Sequence, residues 1–240
     1  MKILIVNDDS ISAPGIAVLA KAARELGEVV VVAPAHQCSA MSQKLTIHGD
    51  MELKKVEDFP VTVEAAYSLA GTPVDCVKVA LQHLLTEKPD FLLSGINNGY
   101  NAGYDIAYSG TLGAAFEAAR AGVPAIALSV AGDDYLCGAE KYLLPVLREL
   151  MQAEQVAGEV WNVNFPAVKT REPKGILRDV KPAPTSMFRE TYIQTLQPDG
   201  RITVTCKGIL TPVDQIPQGS DAWAVKNGYI SIGKVSACIG

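Results

Sequence analysis

Short apolar runs separated by amphipathic stretches set the rhythm of the first half of the chain. Lys2-Ile3-Leu4-Ile5-Val6-Asn7 is a run of strand length that ends in an acidic turn, and Pro14 beyond it suits the first turn of a helix. Between Pro14 and Leu26 the apolar residues Ile16, Leu19, Ala20, Ala23 and Leu26 fall on one helical face, and Gly27 supplies a stop. Glu28-Val29-Val30-Val31-Val32-Ala33 reads as a fully buried second strand, since continuous valine runs belong to parallel sheets covered on both faces. The pattern then loosens into a polar loop over 35–44. Short β-leaning pieces around Leu45-Thr46-Ile47, Met51-Glu52-Leu53 and Val61-Thr62-Val63 predict a hairpin insertion or edge strands.

Helix signals return at Gly71-Thr72-Pro73-Val74-Asp75, where a Thr cap, a Pro at the first helical position and an acid three residues after the cap predict a helix to about Leu85. Phe91-Leu92-Leu93-Ser94 is the next buried strand, followed by a Gly/Asn loop over 95–103, a small-residue helix from Thr111 to Ala121 and a strand from Ala125 to Val130. A helix near Ala139 to Met151, an apolar stretch from Val160 to Phe165 and Pro-interrupted β-like segments complete the chain. Strand alternating with helix predicts an α/β fold: a Rossmann-like, doubly wound, mostly parallel sheet over 1–165 with a β-rich C-terminal extension over 166–240, forming one domain.

Composition narrows the function classes. The 240 residues are 48% apolar and 20% charged, which excludes a disordered or fibrous protein. No apolar run approaches the roughly 20 residues of a membrane helix, so neither a membrane span nor a signal peptide is expected. The net charge is −5. Residues 1–130 carry 9 Lys+Arg against 14 Asp+Glu and residues 131–240 carry 12 of each, so neither half offers the cationic face that a nucleic-acid duplex requires. Five scattered cysteines (Cys38, Cys76, Cys137, Cys206 and Cys238) without C-x-x-C spacing read as reduced thiols of a cytoplasmic protein.

The loops at the carboxyl edge of such a sheet, where ligands bind, are unusually polar here. They carry Asp8-Asp9, Ser39 and Ser42, Asn97-Asn98, and Ser109-Gly110-Thr111 at a helix start. Two carboxylates about 5 Å apart would repel by about 3 kcal/mol at an effective dielectric of 20, a cost that a bound cation reverses. With Asn and Ser oxygens nearby the donor set is hard and oxygen-only, which favours Mg²⁺ or Mn²⁺ over zinc. The alternative is that Asp8 and Asp9 end a strand and cap a turn. Ser109-Gly110-Thr111 at a helix N-terminus suits phosphate, or equally serves as an ordinary cap with glycines for close packing. The two features together form the arrangement a phosphate-ester hydrolase needs.

Other signals are discarded. Gly228 to Val235 nearly spells a phosphate-binding loop, but its last position is Val and no helix pattern follows. There is no G-x-G-x-x-G, G-x-S-x-G or H-E-x-x-H; His36, His48 and His83 are read as structural or solvated, and Cys38, beside Ser39, lacks the low-pKa context of a nucleophile.

The chain resembles the SurE survival-protein nucleotidases over nearly its whole length. The resemblance lies in Asn7-Asp8-Asp9, in Val32-Ala33-Pro34 leading to Ser39-Ala40, and in Gly71-Thr72-Pro73-Val74-Asp75-Cys76-Val77. It continues through Ser94-Gly95-Ile96-Asn97-Asn98-Gly99, Tyr108-Ser109-Gly110-Thr111, Asn162-Val163-Asn164-Phe165-Pro166, Ser220-Asp221-Ala222-Trp223-Ala224-Val225 and Gly228-Tyr229-Ile230-Ser231-Ile232. It implies a metal-dependent phosphatase acting on nucleoside monophosphates, a 5′-nucleotidase with 3′-phosphates left open. Asp8, Asp9, Ser39 and Asn97 would hold one divalent cation (Mg²⁺ or Mn²⁺) per subunit, with Asp8 and Asp9 catalytic. Asn97, Ser109, Gly110 and Thr111 would bind the phosphate. The resemblance also implies a cytoplasmic homodimer or homotetramer that uses its carboxyl-terminal segment for subunit exchange. Ser10 stands where the family has glycine after the acidic pair, Gly233-Lys234-Val235 replaces a Thr-Pro-Leu-like ending, and 171–190 match poorly.

A receiver-like signalling module also opens on an apolar strand and paired acids, but it needs a phosphoacceptor Asp, and the candidate third core strand ends in Leu69-Ala70-Gly71. A non-catalytic nucleotide-binding protein differs from the leading reading only in turnover.

Overall fold

Lys2–Val6 forms β1, and its four interior residues Ile3 to Val6 are buried because helices cover both of its faces. A computed structural model describes residues 1–131, 136–167 and 172–236. After β1 come helix α1 (Pro14–Ala23), β2 (Glu28–Pro34), the short β3 (Leu53–Lys55), β4 (Ala65–Leu69), α2 (Pro73–Val79), β5 (Phe91–Asn98), α3 (Gly110–Arg120) and β6 (Ala125–Val130). Helix α4 (Cys137–Gln152), β7 (Glu159–Phe165), β8 (Ile176–Leu177), β9 (Phe188–Leu196), β10 (Ile202–Leu210), α5 (Asp221–Lys226) and β11 (Ile230–Ser236) follow.

Among the described residues, nine strands share one sheet in the order β3-β4-β2-β1-β5-β6-β7-β11-β8. The run from β4 to β7 is parallel, while β3 and β11 lie antiparallel to their neighbours β4 and β7. Counted along the chain, those six parallel strands have the doubly wound order 3-2-1-4-5-6, whose direction of winding reverses between β1 and β5. One apolar core lies under α1 and α4 and includes Ile16, Leu19, Leu143 and Phe165. The other lies under α2 and α3 and includes Leu4, Val77, Leu112 and Val123.

The structure departs from the sequence expectations where side chains find non-strand partners. Thr46 gives its backbone N–H and its hydroxyl to Asp75, so Leu45-Thr46-Ile47 forms no strand. Val61 and Val63 pack on the core as loop residues, and the strand begins two residues later, where Ala65 pairs with Val30. The helix expected to reach Leu85 is α-helical only to Val79 and then widens into a π-helical turn over Ala80–Leu84. β5 runs on into the expected loop as far as Asn98, with its register shifted between Ser94 and Asn97. In the tail, β11 joins the main sheet beside β7, and the P-loop-like stretch is that strand. β9 and β10 form a separate antiparallel hairpin. Cys38, Cys76 and Cys206 are free thiols, while Cys238 and the side chain of Cys137 lie outside the described residues.

Candidate active site

The reversal of winding leaves a crevice at the carboxyl ends of β1 and β5, and the polar loops meet there. Asp8 follows β1 and is 4% exposed. Its Oδ1 accepts a 2.8 Å hydrogen bond from the Thr111 hydroxyl at the start of α3, and its carbonyl accepts from the N–H of Cys38, 2.7 Å away, in the loop after β2. Asp9 is less buried. Its Oδ2 accepts from the N–H of Asn98 at 2.9 Å and its Oδ1 from Gln37 Nε2 at 3.3 Å. Ser39 is one residue from Cys38 and is exposed, with no hydrogen bond among the described residues. Asn97 is one residue from Asn98, and its Nδ2 is turned back to the carbonyl of Gly99 at 2.8 Å.

Helix α3 closes the crevice with small residues. Ser109 caps it by accepting the N–H of Leu112 at 3.0 Å, which leaves the hydroxyl proton of Ser109 to donate elsewhere. A Cβ on Gly110 would stand 3.0 Å from Asp8 Oδ2 and 3.3 Å from the Cys38 carbonyl, so only glycine lets helix and acidic loop approach this closely. A Cβ on Gly113 would stand 2.1 Å from the carbonyl of Ser42, so the loop that carries Ser39 lies directly on the helix. That loop is fastened further by Ser42, whose N–H and hydroxyl donate to the carbonyls of Tyr108 and Ala107.

Burial pushes the Asp8 carboxyl up to about 6, with the Thr111 hydroxyl opposing the rise and the Asp9 charge adding to it. A nearly enclosed carboxylate with a second one beside it gains from a cation, and Ser39 and Asn97, each one residue from a backbone N–H that bonds the acidic pair, carry oxygens of the kind such an ion takes. The residues present therefore fit a hard divalent ion. Among the described residues no group of three His, Cys, Asp or Glu side chains is gathered for a metal, so the fit rests on mixed oxygen donors.

The structure brings Asp8, Asp9, Ser109, Gly110 and Thr111 into direct contact or adjacency, and places Ser39 and Asn97 one residue from backbone groups that bond the acidic pair. The Thr111 side chain is fully buried with its hydroxyl committed to Asp8. Sequence reasoning missed Gln37, the Asn98 amide and Asn101. Asn101 sits within the Gly/Asn loop already noted, but its partners are set by the sheet and carry no local signal.

A doubly wound sheet with polar loops gathered at its switch point defines an α/β protein of the class whose members bind ligands at the carboxyl edge of their strands. The family profile described as Survival protein SurE matches residues 3–190. The chain belongs to the SurE family. It is 40% identical over 237 residues to the 5'-nucleotidase SurE of Flavobacterium psychrophilum, covering 96% of this chain and 89% of that one. It is 38% identical to the 5'-nucleotidase SurE 1 of Thermus thermophilus, covering 98% and 92%. The crystal structure of the SurE protein from Aquifex aeolicus superposes with a TM-score of 0.85 at 31% identity, covering 100% of this chain and 95% of that one.

Proposed function

We propose that this chain is a 5′-nucleotidase that hydrolyses nucleoside monophosphates to nucleoside and inorganic phosphate, with one Mg²⁺ or Mn²⁺ per subunit held by Asp8, Asp9, Ser39 and Asn97. The observation that carries the reading is the meeting of a buried carboxylate, a second carboxylate and an α3 N-terminus at one crevice, in a chain whose relatives are named 5'-nucleotidases. When bound, the cation supplies charge for the phosphoryl oxygens and activation of water. The protein's own part is placement. Thr111 and the Cys38 amide pin Asp8, the Asn98 amide and Gln37 pin Asp9, and the Ser109 hydroxyl and Gly110 amide meet the phosphate at the positive end of α3. Thr111 serves the phosphate side by fixing Asp8, since its hydroxyl proton is already engaged. Asn97 contributes its amide to both cation and phosphate.

Phosphate-monoester hydrolysis is slow enough uncatalysed that these groups must together lower the barrier by about 20 kcal/mol. Phosphate release from nucleoside 5′- and 3′-monophosphates with Mg²⁺ or Mn²⁺, beside an EDTA control, tests the assignment. Asp8→Asn is expected to melt no lower than the parent and to lose at least about 100-fold in kcat. Near-parental turnover in that variant overturns the site.

The hairpin supports a homodimer or homotetramer. Pairing Ile202 with Leu196 and Leu210 with Phe188 places Phe188, Tyr192, Leu196, Ile202, Val204 and Leu210 on one face, all of them exposed. We place the protein in the cytoplasm, a reading supported by its free thiols.

A further inference from the structure

Behind Asp8 the polar contacts continue inward. The Thr111 hydroxyl that donates to Asp8 Oδ1 also lies 3.3 Å from Asn101 Nδ2. Asn101 is 6% exposed and is held from every side. Its Nδ2 reaches Ser129 Oγ on β6 at 2.7 Å. Its backbone N–H donates to Asn164 Oδ1 on β7 at 2.9 Å, and its carbonyl accepts from Asn162 Nδ2 at 2.9 Å and Asn164 Nδ2 at 3.1 Å.

The chemistry fixes the direction of this chain of bonds. An ionised carboxylate only accepts, so the single hydroxyl proton of Thr111 goes to Asp8. Whatever meets the Thr111 oxygen from behind must therefore donate, which requires the NH₂ end of the Asn101 carboxamide. The other amide proton goes to Ser129. Without Asn101 no donor behind Thr111 opposes its hydroxyl turning its proton away from Asp8, and Asp8 Oδ1 would lose its donor in a buried site. With Asn101 in place, Oδ1 is anchored and Oδ2 remains on the side of Gly110, toward the crevice. Asn101 also ends the stretch that begins at Asn97, so one residue sets both the Asp8 carboxylate and the exit of the Asn97 loop.

We propose that Asn101 is a positioning residue for the cation site, acting through Thr111: its carboxamide holds the Thr111 hydroxyl as a one-way donor to Asp8 Oδ1. The inference rests on the cation reading given under Proposed function, and it concerns the orientation of a ligand, not ligation itself.

The test is a double-mutant cycle on the full chain with Mn²⁺ as the probe, read by titration calorimetry and by steady-state kinetics. Asn101→Ala keeps the backbone bonds of residue 101 and removes only the amide, and Thr111→Val removes the hydroxyl without changing shape. Each is expected to weaken Mn²⁺ binding about 10-fold and to lower kcat with KM for the nucleotide little changed. Because Asn101 acts through Thr111, the double variant is expected to be no worse than Thr111→Val alone. Thr111→Ser, which restores the hydroxyl, is expected to recover most of the affinity lost in Thr111→Val. Losses that multiply in the double variant, or parental Mn²⁺ affinity in Asn101→Ala, overturn the proposal. If Asn101→Ala does not fold, Ser129→Ala takes its place in the cycle with the same expectation of non-additivity. Wild-type protein that binds no Mn²⁺ overturns the cation reading itself, and this inference with it. Binding in the wild type with no response to the variants overturns this inference alone.

Discussion

Ser10 carries its backbone at φ 94°, a region that L side chains rarely adopt, directly after the acidic pair. Its carbonyl accepts from Asn7 Nδ2 at 2.7 Å and from the Ala13 N–H at 3.2 Å, so the turn is held in that shape by neighbours on both sides. A glycine fits this conformation without the Cβ penalty, and Ser10→Gly is expected to stabilise the fold by about 1 kcal/mol. For a chain of this size that is a rise of about 2–4 °C in thermal midpoint, read by calorimetry, and a fall in midpoint would refute the strain. The departure from family pattern at Ser10 was legible as a substitution, but its positive φ was not. Nor could the string reveal that the Thr111 hydroxyl meets Asp8, because the two residues are 103 positions apart and come together only when α3 docks beside β1.

At the scale of elements, α2 shows how a short helix also fastens a functional loop. Thr72 and Asp75 cap it reciprocally, and Asp75 further accepts the N–H and hydroxyl of Thr46, while the Thr72 hydroxyl reaches the carbonyl of Lys44. Burial pushes the Asp75 carboxyl up, but the hydrogen bonds from Thr46 and Thr72 outweigh it and hold the group below its ordinary 3.8. An acid depressed on folding stabilises the protein above its unfolded value and loses that contribution as pH falls through the folded value. Asp75→Ala is therefore expected to cost about 2 kcal/mol at neutral pH, with the gap to the parent narrowing below about pH 4 in urea titrations. A gap that stays constant with pH would remove the charge from the explanation. The cap was readable from Thr72-Pro73-Val74-Asp75, and so were β1, β2, β6 and the helices around them, because each is locally patterned. An edge strand was expected around Met51-Glu52-Leu53 and β3 begins there, at Leu53, but the late start of β4 and the helix α5 were not readable, since their identity depends on which partner wins. The hairpin had a signal in Pro198-Asp199-Gly200 between alternating segments, one masked by the surrounding prolines.

For the whole molecule, the hairpin is the part least able to stand alone. Two strands of nine residues without a covering layer are marginal in water, and here one face presents Leu196 at 72% and Val204 at 62% exposure. Sedimentation is expected to show a dimer or tetramer, and Leu196→Lys combined with Val204→Lys is expected to sediment as the 25.5 kDa monomer. An unchanged assembly in that variant would locate the contact elsewhere. The root of the hairpin is tied to the segment between Asn101 and Ser109: Met187 and Phe188 give their N–H groups to Asp105, and Asp221 accepts the N–H groups of both Gly103 and Ala183. The doubly wound order has a consequence in time. Asp8 and Thr111 are separated by 103 residues, and a ribosome adding about 5–20 residues per second needs roughly 5–20 seconds to cross that interval. For those seconds the nascent acidic pair lacks the α3 hydroxyl that bonds it, and for most of them the β5 amide as well. The growing polypeptide thus cannot complete the proposed ion-binding centre until the parallel strands that house it have been made.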